Sequence, residues 1–204
     1  MKDKFILAIV FSSALGLDAI LIQYMFFEES SYPFLNGLQT FKYFTLQSNL
    51  IVFLYFLILY SRIFEHNKLF NKLFGGVVVY ITITFIVYSI FIEPFVSPQG
   101  FAFIGSLLNH YVTPILVIAF ISKYKGDYTF SYKDIKIWII YPLVYLIFLV
   151  ILGSISNNYL YPFFQVEDVG YIGLLIAIIS VNILFYILSF ILVKLVSNKE
   201  SVSF

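Results

Sequence analysis

The chain reads as an all-α polytopic membrane protein, a bundle of six transmembrane helices, and three observations carry that expectation. Hydrophobic residues fill 61% of its 204 positions and aromatics 21%, against 11% charged. With a mean hydropathy of +0.97, a soluble core of this length would not enclose the apolar surface. The apolar residues also fall into continuous runs of about 20, the length that crosses roughly 30 Å of hydrocarbon as a helix. Finally, the few charges collect between those runs.

Six runs lie near residues 5–27, 40–61, 74–92, 100–122, 136–153 and 169–193. The first follows MKDK and continues past any small-residue cleavage site, with Asp18 and Gln23 inside it, so a retained span and not a removed signal peptide is expected. The second opens on FKYFTLQSNL, Gly75 and Gly76 merely open the third, and the fourth carries LLNHYVTP with Pro114 in its interior. Tyr141 and Pro142 open the fifth, and NNYLYPFFQVEDVGYIG precedes the sixth. Connections are short, so a single transmembrane domain over 1–204 is expected, with no soluble appendage.

Charge placement orients the bundle. Lys2 and Lys4, Arg62, Lys68 and Lys72, Lys123, Lys125, Lys133 and Lys136, and Lys194 and Lys199 are eleven of the twelve basic residues, and all flank one end of the spans. The other end holds Glu28, Glu29, Glu93, Glu167 and Asp168, with Lys42 as the one base nearby. By the positive-inside rule both termini are cytoplasmic, in a multi-pass protein of the cell membrane. A net charge of +1 points to no nucleic-acid partner. The lack of cysteine removes disulfides, thiolate metal sites and cysteine nucleophiles together, and leaves the redox compartment open.

Polar residues inside the runs are the candidates for function, because unpartnered polar groups in hydrocarbon cost several kcal/mol each, roughly. Thr45, Ser48 and Asn49 share one stripe of the second span at i, i+3 and i+4. His110 shares a stripe of the fourth with Ser106 and Thr113, and Asn109 precedes it. With the second span entering near Thr40 and the fourth near Gly100, Thr45 lies roughly 8 Å in and His110 roughly 15 Å in. Asp18, rising from the cytoplasmic side, also reaches the outer half. Pro114 lacks the N–H that would bond the His110 carbonyl, so a bend beside the histidine is expected.

Each candidate also has a structural reading. Serine and threonine in membrane helices commonly bond their own i−4 carbonyl, and Asn49 and Asn109 suit interhelical glue. Asp18 is open to three roles: proton carrier, partner of His110 or Lys42, or protonated hydrogen-bonding group. His66 sits among cytoplasmic charges and reads as a solvated loop residue. An imidazole within a span is by default functional. Bis-histidine haem needs two such imidazoles and metal hydrolysis about three ligands. Neither set exists, and no phosphate loop or G-x-S-x-G elbow is present, so no cofactor and no metal are expected. A metal-free hydroxyl and imidazole, Thr45 and His110, remain.

FKYFTLQSNL, HYVTP, Tyr141-Pro142 and NNYLYPFFQVEDVGYIG together resemble a bacterial family of six-helix integral membrane proteins, in order and over nearly the whole chain. That family is in turn similar to the animal androgen-induced membrane proteins, multi-pass threonine hydrolases that cleave fatty acid esters of hydroxy fatty acids. Their catalytic threonine lies in Lys-Tyr-Leu-Thr, which matches Lys42, Tyr43, Phe44 and Thr45 here. Their catalytic histidine closes Asn-His-x-x-His ahead of a proline. Aligned by the proline, with a one-residue gap, it matches His110; aligned by the Asn-His pair, His110 falls on the non-catalytic histidine. The first alignment is preferred, since no other base lies inside a span. Tyr161-Pro162-Phe163 recurs in the animal proteins as architecture.

The resemblance implies a lipid-ester hydrolase acting on membrane lipids or fatty acyl esters, with Thr45 as nucleophile and His110 as base. Asn49 and Asn109 are oxyanion candidates, and Ser48 and Asp18 supporting ones. Two other classes fit the same residues: a proton-coupled small-solute transporter, which would route a polar path from Asp18 to the cytoplasm, and a non-catalytic lipid-binding protein, which would place Thr45 and His110 on different faces.

Overall fold

Leucine, isoleucine, valine and phenylalanine dominate every apolar run, and helix is the local structure that keeps each backbone N–H and C=O paired without water. The computed structural model describes residues 1–29, 31–64, 67–157 and 159–196; His66 lies outside them. The fold is all-α, and six helical stretches are long and apolar enough to cross a membrane, consistent with a polytopic bundle: Lys2–Phe27, Phe44–Ser61, Lys68–Phe95, Gly100–Asp127, Tyr132–Ser156 and Val166–Val196. The chain divides into two units, Met1–Lys125 and Gly126–Phe204.

In the first unit α1 (Lys2–Ile22) runs into a wide turn, Gln23–Phe27, and a short α2 (Pro33–Gln39) leads to α3 (Phe44–Ser61). α4 (Lys68–Val87) also ends in a wide turn, Tyr88–Ile92. The fourth apolar stretch is two α-helices, α5 (Gly100–Leu107) and α6 (Thr113–Tyr124), joined through Leu108–Val112. α1 packs on α3 and on α5 and α6, and α4 packs on α3 and α6, so the four long helices close a ring. Phe56, Phe74 and Phe120 fill its centre, fully buried, with mutual edge-to-face contacts at 5.1 to 5.9 Å between centroids.

Glycine sets the closest approach, between α1 and α5. A Cβ at Gly105 would stand 2.6 Å from Ile20 Cγ1 and 3.1 Å from the Gly16 carbonyl oxygen, and one at Gly16 would collide with the Asn109 amide. Small residues let the two backbones touch, the usual device where lipid supplies no hydrophobic drive for association. Ser12 and Thr113 add a buried hydroxyl pair at 3.0 Å between α1 and α6.

In the second unit α7 (Ile135–Trp138) follows a Ser131–Asp134 capping box and leads into α8 (Ile140–Ser156). α9 (Val166–Val196) is kinked at Gly170. Trp138 packs edge-to-face on Phe130 with centroids 5.3 Å apart. Tyr161 bonds Tyr145 hydroxyl to hydroxyl at 3.0 Å. The outward side of α8 and α9 is apolar, with Ile155, Tyr171 and Ile172 more than three-quarters exposed, a surface suited to lipid.

Candidate active site in the first unit

The placement of His110 begins with Pro114. Without an N–H the proline cannot bond the His110 carbonyl, and the helix widens one turn ahead of it. Thr113 N–H reaches Leu108 O, five residues back, and not Asn109 O, four back. The extra residue is a π-bulge, a feature common at functional sites. It frees the Asn109 carbonyl from the helix ladder, and the Asn49 amide of α3 takes that carbonyl at 3.1 Å.

Within this bulge the imidazole is held at both nitrogens. Nδ1 lies 2.9 Å from the Ser106 carbonyl oxygen and 3.1 Å from the Ser106 hydroxyl. A carbonyl only accepts, so Nδ1 carries the proton and Nε2 presents a lone pair. Thr45 Oγ1 is 3.1 Å from Nε2, so the threonine hydroxyl donates. Tyr88, from the end of α4, stacks on the imidazole with centroids 3.5 Å apart and planes 8° from parallel. Its hydroxyl accepts from Ser106 Oγ at 2.7 Å.

Thr45 reaches that position because α3 starts late. The sequence expectation began this span near residue 40, but Thr40–Lys42 forms a separate tight turn and Tyr43 is extended at φ −83, ψ 138. The Thr40 hydroxyl bonds Gly37 O at 2.6 Å, and Gln47 Nε2 bonds Phe41 O at 2.8 Å, so polar side chains stabilise the break. α3 therefore opens at Phe44, and Thr45 sits in the first turn, where the Leu46 and Gln47 N–H groups bond the Tyr43 carbonyl at 3.2 and 3.3 Å.

The remaining candidates divide between this site and elsewhere. Ser48 bonds Thr84 of α4 hydroxyl to hydroxyl at 2.8 Å and the Thr45 carbonyl at 3.0 Å. The two N–H groups of Asn49 go to Thr45 O at 2.9 Å and Asn109 O, so both of its donors are engaged. Asn109 Nδ2 donates to Gly16 O at 2.9 Å. The amide oxygens of both asparagines are buried with no hydrogen-bond partner. Asp18 stays apart: it is exposed, on the α1 stripe of Lys4, Ala8, Phe11 and Leu15, about half a turn around from Gly16. Among the described residues no three His, Cys, Asp or Glu side chains group as a metal site would require.

Compared with known proteins, the chain matches no family model, no curated protein and no solved structure. Two contributors were not singled out in the sequence. Tyr88 is one of 17 tyrosines and carries no spacing signal to His110, and Gly16 matters only through the backbone of another helix.

Proposed function

We propose that the first unit is an intramembrane lipid-ester hydrolase with Thr45 as nucleophile and His110 as general base, in a cell-membrane protein whose termini are both cytoplasmic. The observation that carries this reading is the 3.1 Å contact from Thr45 Oγ1 to the unprotonated Nε2, with Nδ1–H tied to the Ser106 carbonyl. The resemblance of Lys42, Tyr43, Phe44 and Thr45 to the threonine hydrolases' Lys-Tyr-Leu-Thr supports the nucleophile. A scaffold reading expects these two side chains on separate faces, and a transport reading expects Asp18 on a polar path; the Thr45–His110 contact and the exposed position of Asp18 favour the hydrolase.

In the reaction His110 Nε2 takes the Thr45 proton as Oγ1 bonds the ester carbonyl carbon. The carbonyl π electrons move to oxygen, and the tetrahedral adduct then collapses. The alkoxide leaves with the proton from Nε2, which frees an alcohol and leaves an acyl-threonine. Water repeats the sequence: its proton passes to Nε2, its oxygen bonds the acyl carbon, and Thr45 departs reprotonated with a fatty acid released. The first turn of α3 places the positive end of a helix dipole beside Oγ1, where the oxyanion would form.

Labelling by a fluorophosphonate probe tests the assignment. Wild type should label and Thr45→Ala should not; equal labelling would remove Thr45 as nucleophile. Retained lipid-esterase turnover in purified His110→Ala would remove the base.

A further inference from the structure

On the Nδ1 side of His110, away from Thr45, the first unit opens a cavity of about 500 Å³ between the end of α4 and the start of α5. Ser106, bonded to the imidazole, and Tyr88, stacked on the imidazole and bonded to Ser106, form its inner wall. Glu93, Gln99, Phe103 and Tyr111 form the rest that matters here. The volume falls within the range of about 300 to 1,000 Å³ typical of small-molecule sites.

Its chemistry is one-sided. Glu93 is the lone charged residue of the lining. The sequence from 73 to 122, which builds the cavity, contains no lysine or arginine. Tyr111 donates its hydroxyl to Glu93 Oε2, which orients the carboxylate without neutralising it, and Glu93 forms no ion pair among the described residues. An anionic ligand would be repelled. A divalent metal would need several oxygen ligands, and no acidic cluster is present among the described residues.

The walls suit an organic cation. Tyr88 and Tyr111 stand nearly at right angles, 82°, with centroids 6.1 Å apart, and Phe103 adds a third ring to the lining. Aromatic corners of this kind attract ammonium groups through the ring quadrupole, above all those too weakly hydrated to prefer water. We infer that this cavity binds an alkylammonium group, held by the Glu93 carboxylate and the Tyr88, Tyr111 and Phe103 rings. The group is supplied by a zwitterionic lipid headgroup or by a free quaternary amine. This site stands independently of ester hydrolysis, since binding is measured without turnover.

The test uses the full chain purified in maltoside detergent. Binding is read by ligand-observed saturation transfer and by calorimetry for choline, for dihexanoyl phosphatidylcholine below its micelle concentration, and for dihexanoyl phosphatidylglycerol as the ammonium-free control. Choline or the phosphatidylcholine should bind, and the phosphatidylglycerol should not. Glu93→Gln, a surface isostere, should weaken binding about tenfold or more, the loss of one close charge pair at about 1.4 kcal/mol per decade. Glu29→Gln, an acidic change elsewhere, should leave it unaltered. Tyr111→Leu, which keeps the wall apolar but removes the ring, should also weaken it. Phosphatidylcholine binding tighter than choline assigns a lipid source, and the reverse assigns a free amine. The inference is overturned if neither ammonium ligand binds, if phosphatidylglycerol binds equally, or if Glu93→Gln binds as wild type does.

Discussion

Thr45 and His110 meet through one hydrogen bond, and the rest of the site exists to keep it in one sense. Thr45→Val preserves volume and β-branching while deleting the donor, so turnover should fall by at least about 10²-fold with melting temperature nearly unchanged. Thr45→Ser keeps a hydroxyl at the same position and should retain much of the activity. Ser106 separates two contributions. Its backbone carbonyl, 2.9 Å from Nδ1, survives Ser106→Ala, so the tautomer should persist and kcat should drop less than about tenfold. A loss as deep as that of His110→Ala would mean that the hydroxyl, and with it the link to Tyr88, carries the proton placement. Thr45 and His110 were legible in the sequence because a hydroxyl and an imidazole are conspicuous in hydrocarbon. Tyr88 was not, because an aromatic ring among so many gives no signal until its partner is located.

At the level of elements, the π-bulge ties stability against activity. Pro114 forces Leu108–Val112 wide and so turns His110 toward α3. Pro114→Ala restores an N–H for the His110 carbonyl and lets the helix return to α register, which rotates the imidazole by about 100° relative to residues beyond the bulge. The expected outcome is a higher melting temperature in detergent, since an interior proline costs about 3 kcal/mol, together with lost esterase turnover. Unchanged turnover would separate the bulge from function. The α1 and α5 contact gives a second test. Gly16→Leu drives a side chain into Asn109, and its overpacking should cost about 1–3 kcal/mol, read as a lower melting temperature with activity falling alongside. The sequence showed the proline and the His110 carbonyl it leaves unbonded, but the bulge itself needed Asn49 to receive the freed Asn109 oxygen from another helix. The late start of α3 was hidden for the same kind of reason: Thr40 and Gln47 stabilise the break by bonds to Gly37 and Phe41, which hydropathy does not register.

For the molecule as a whole, the six apolar helices were legible because length and hydropathy are properties of each segment alone. Sidedness is a property of the charges between them, and it decides from which leaflet a lipid reaches Thr45. The basic residues at Arg62, Lys68, Lys72, Lys123 and Lys125 flank one end of the first-unit helices, and Glu28, Glu29 and Glu93 the other. Translocating each lysine or arginine is disfavoured, whereas acidic residues exert little pull, so in the proposed orientation the Glu93 end would face outward, and the cavity and Thr45 would belong to the outer leaflet. A chain without cysteine makes this directly measurable. Ser97→Cys and Gln99→Cys, beyond the end of α4, should react with a membrane-impermeant maleimide added to intact cells. Ser122→Cys and Lys133→Cys should react only after the membrane is opened. The reverse pattern would invert the bundle and place ester hydrolysis on the cytoplasmic leaflet, with Glu93 facing inward.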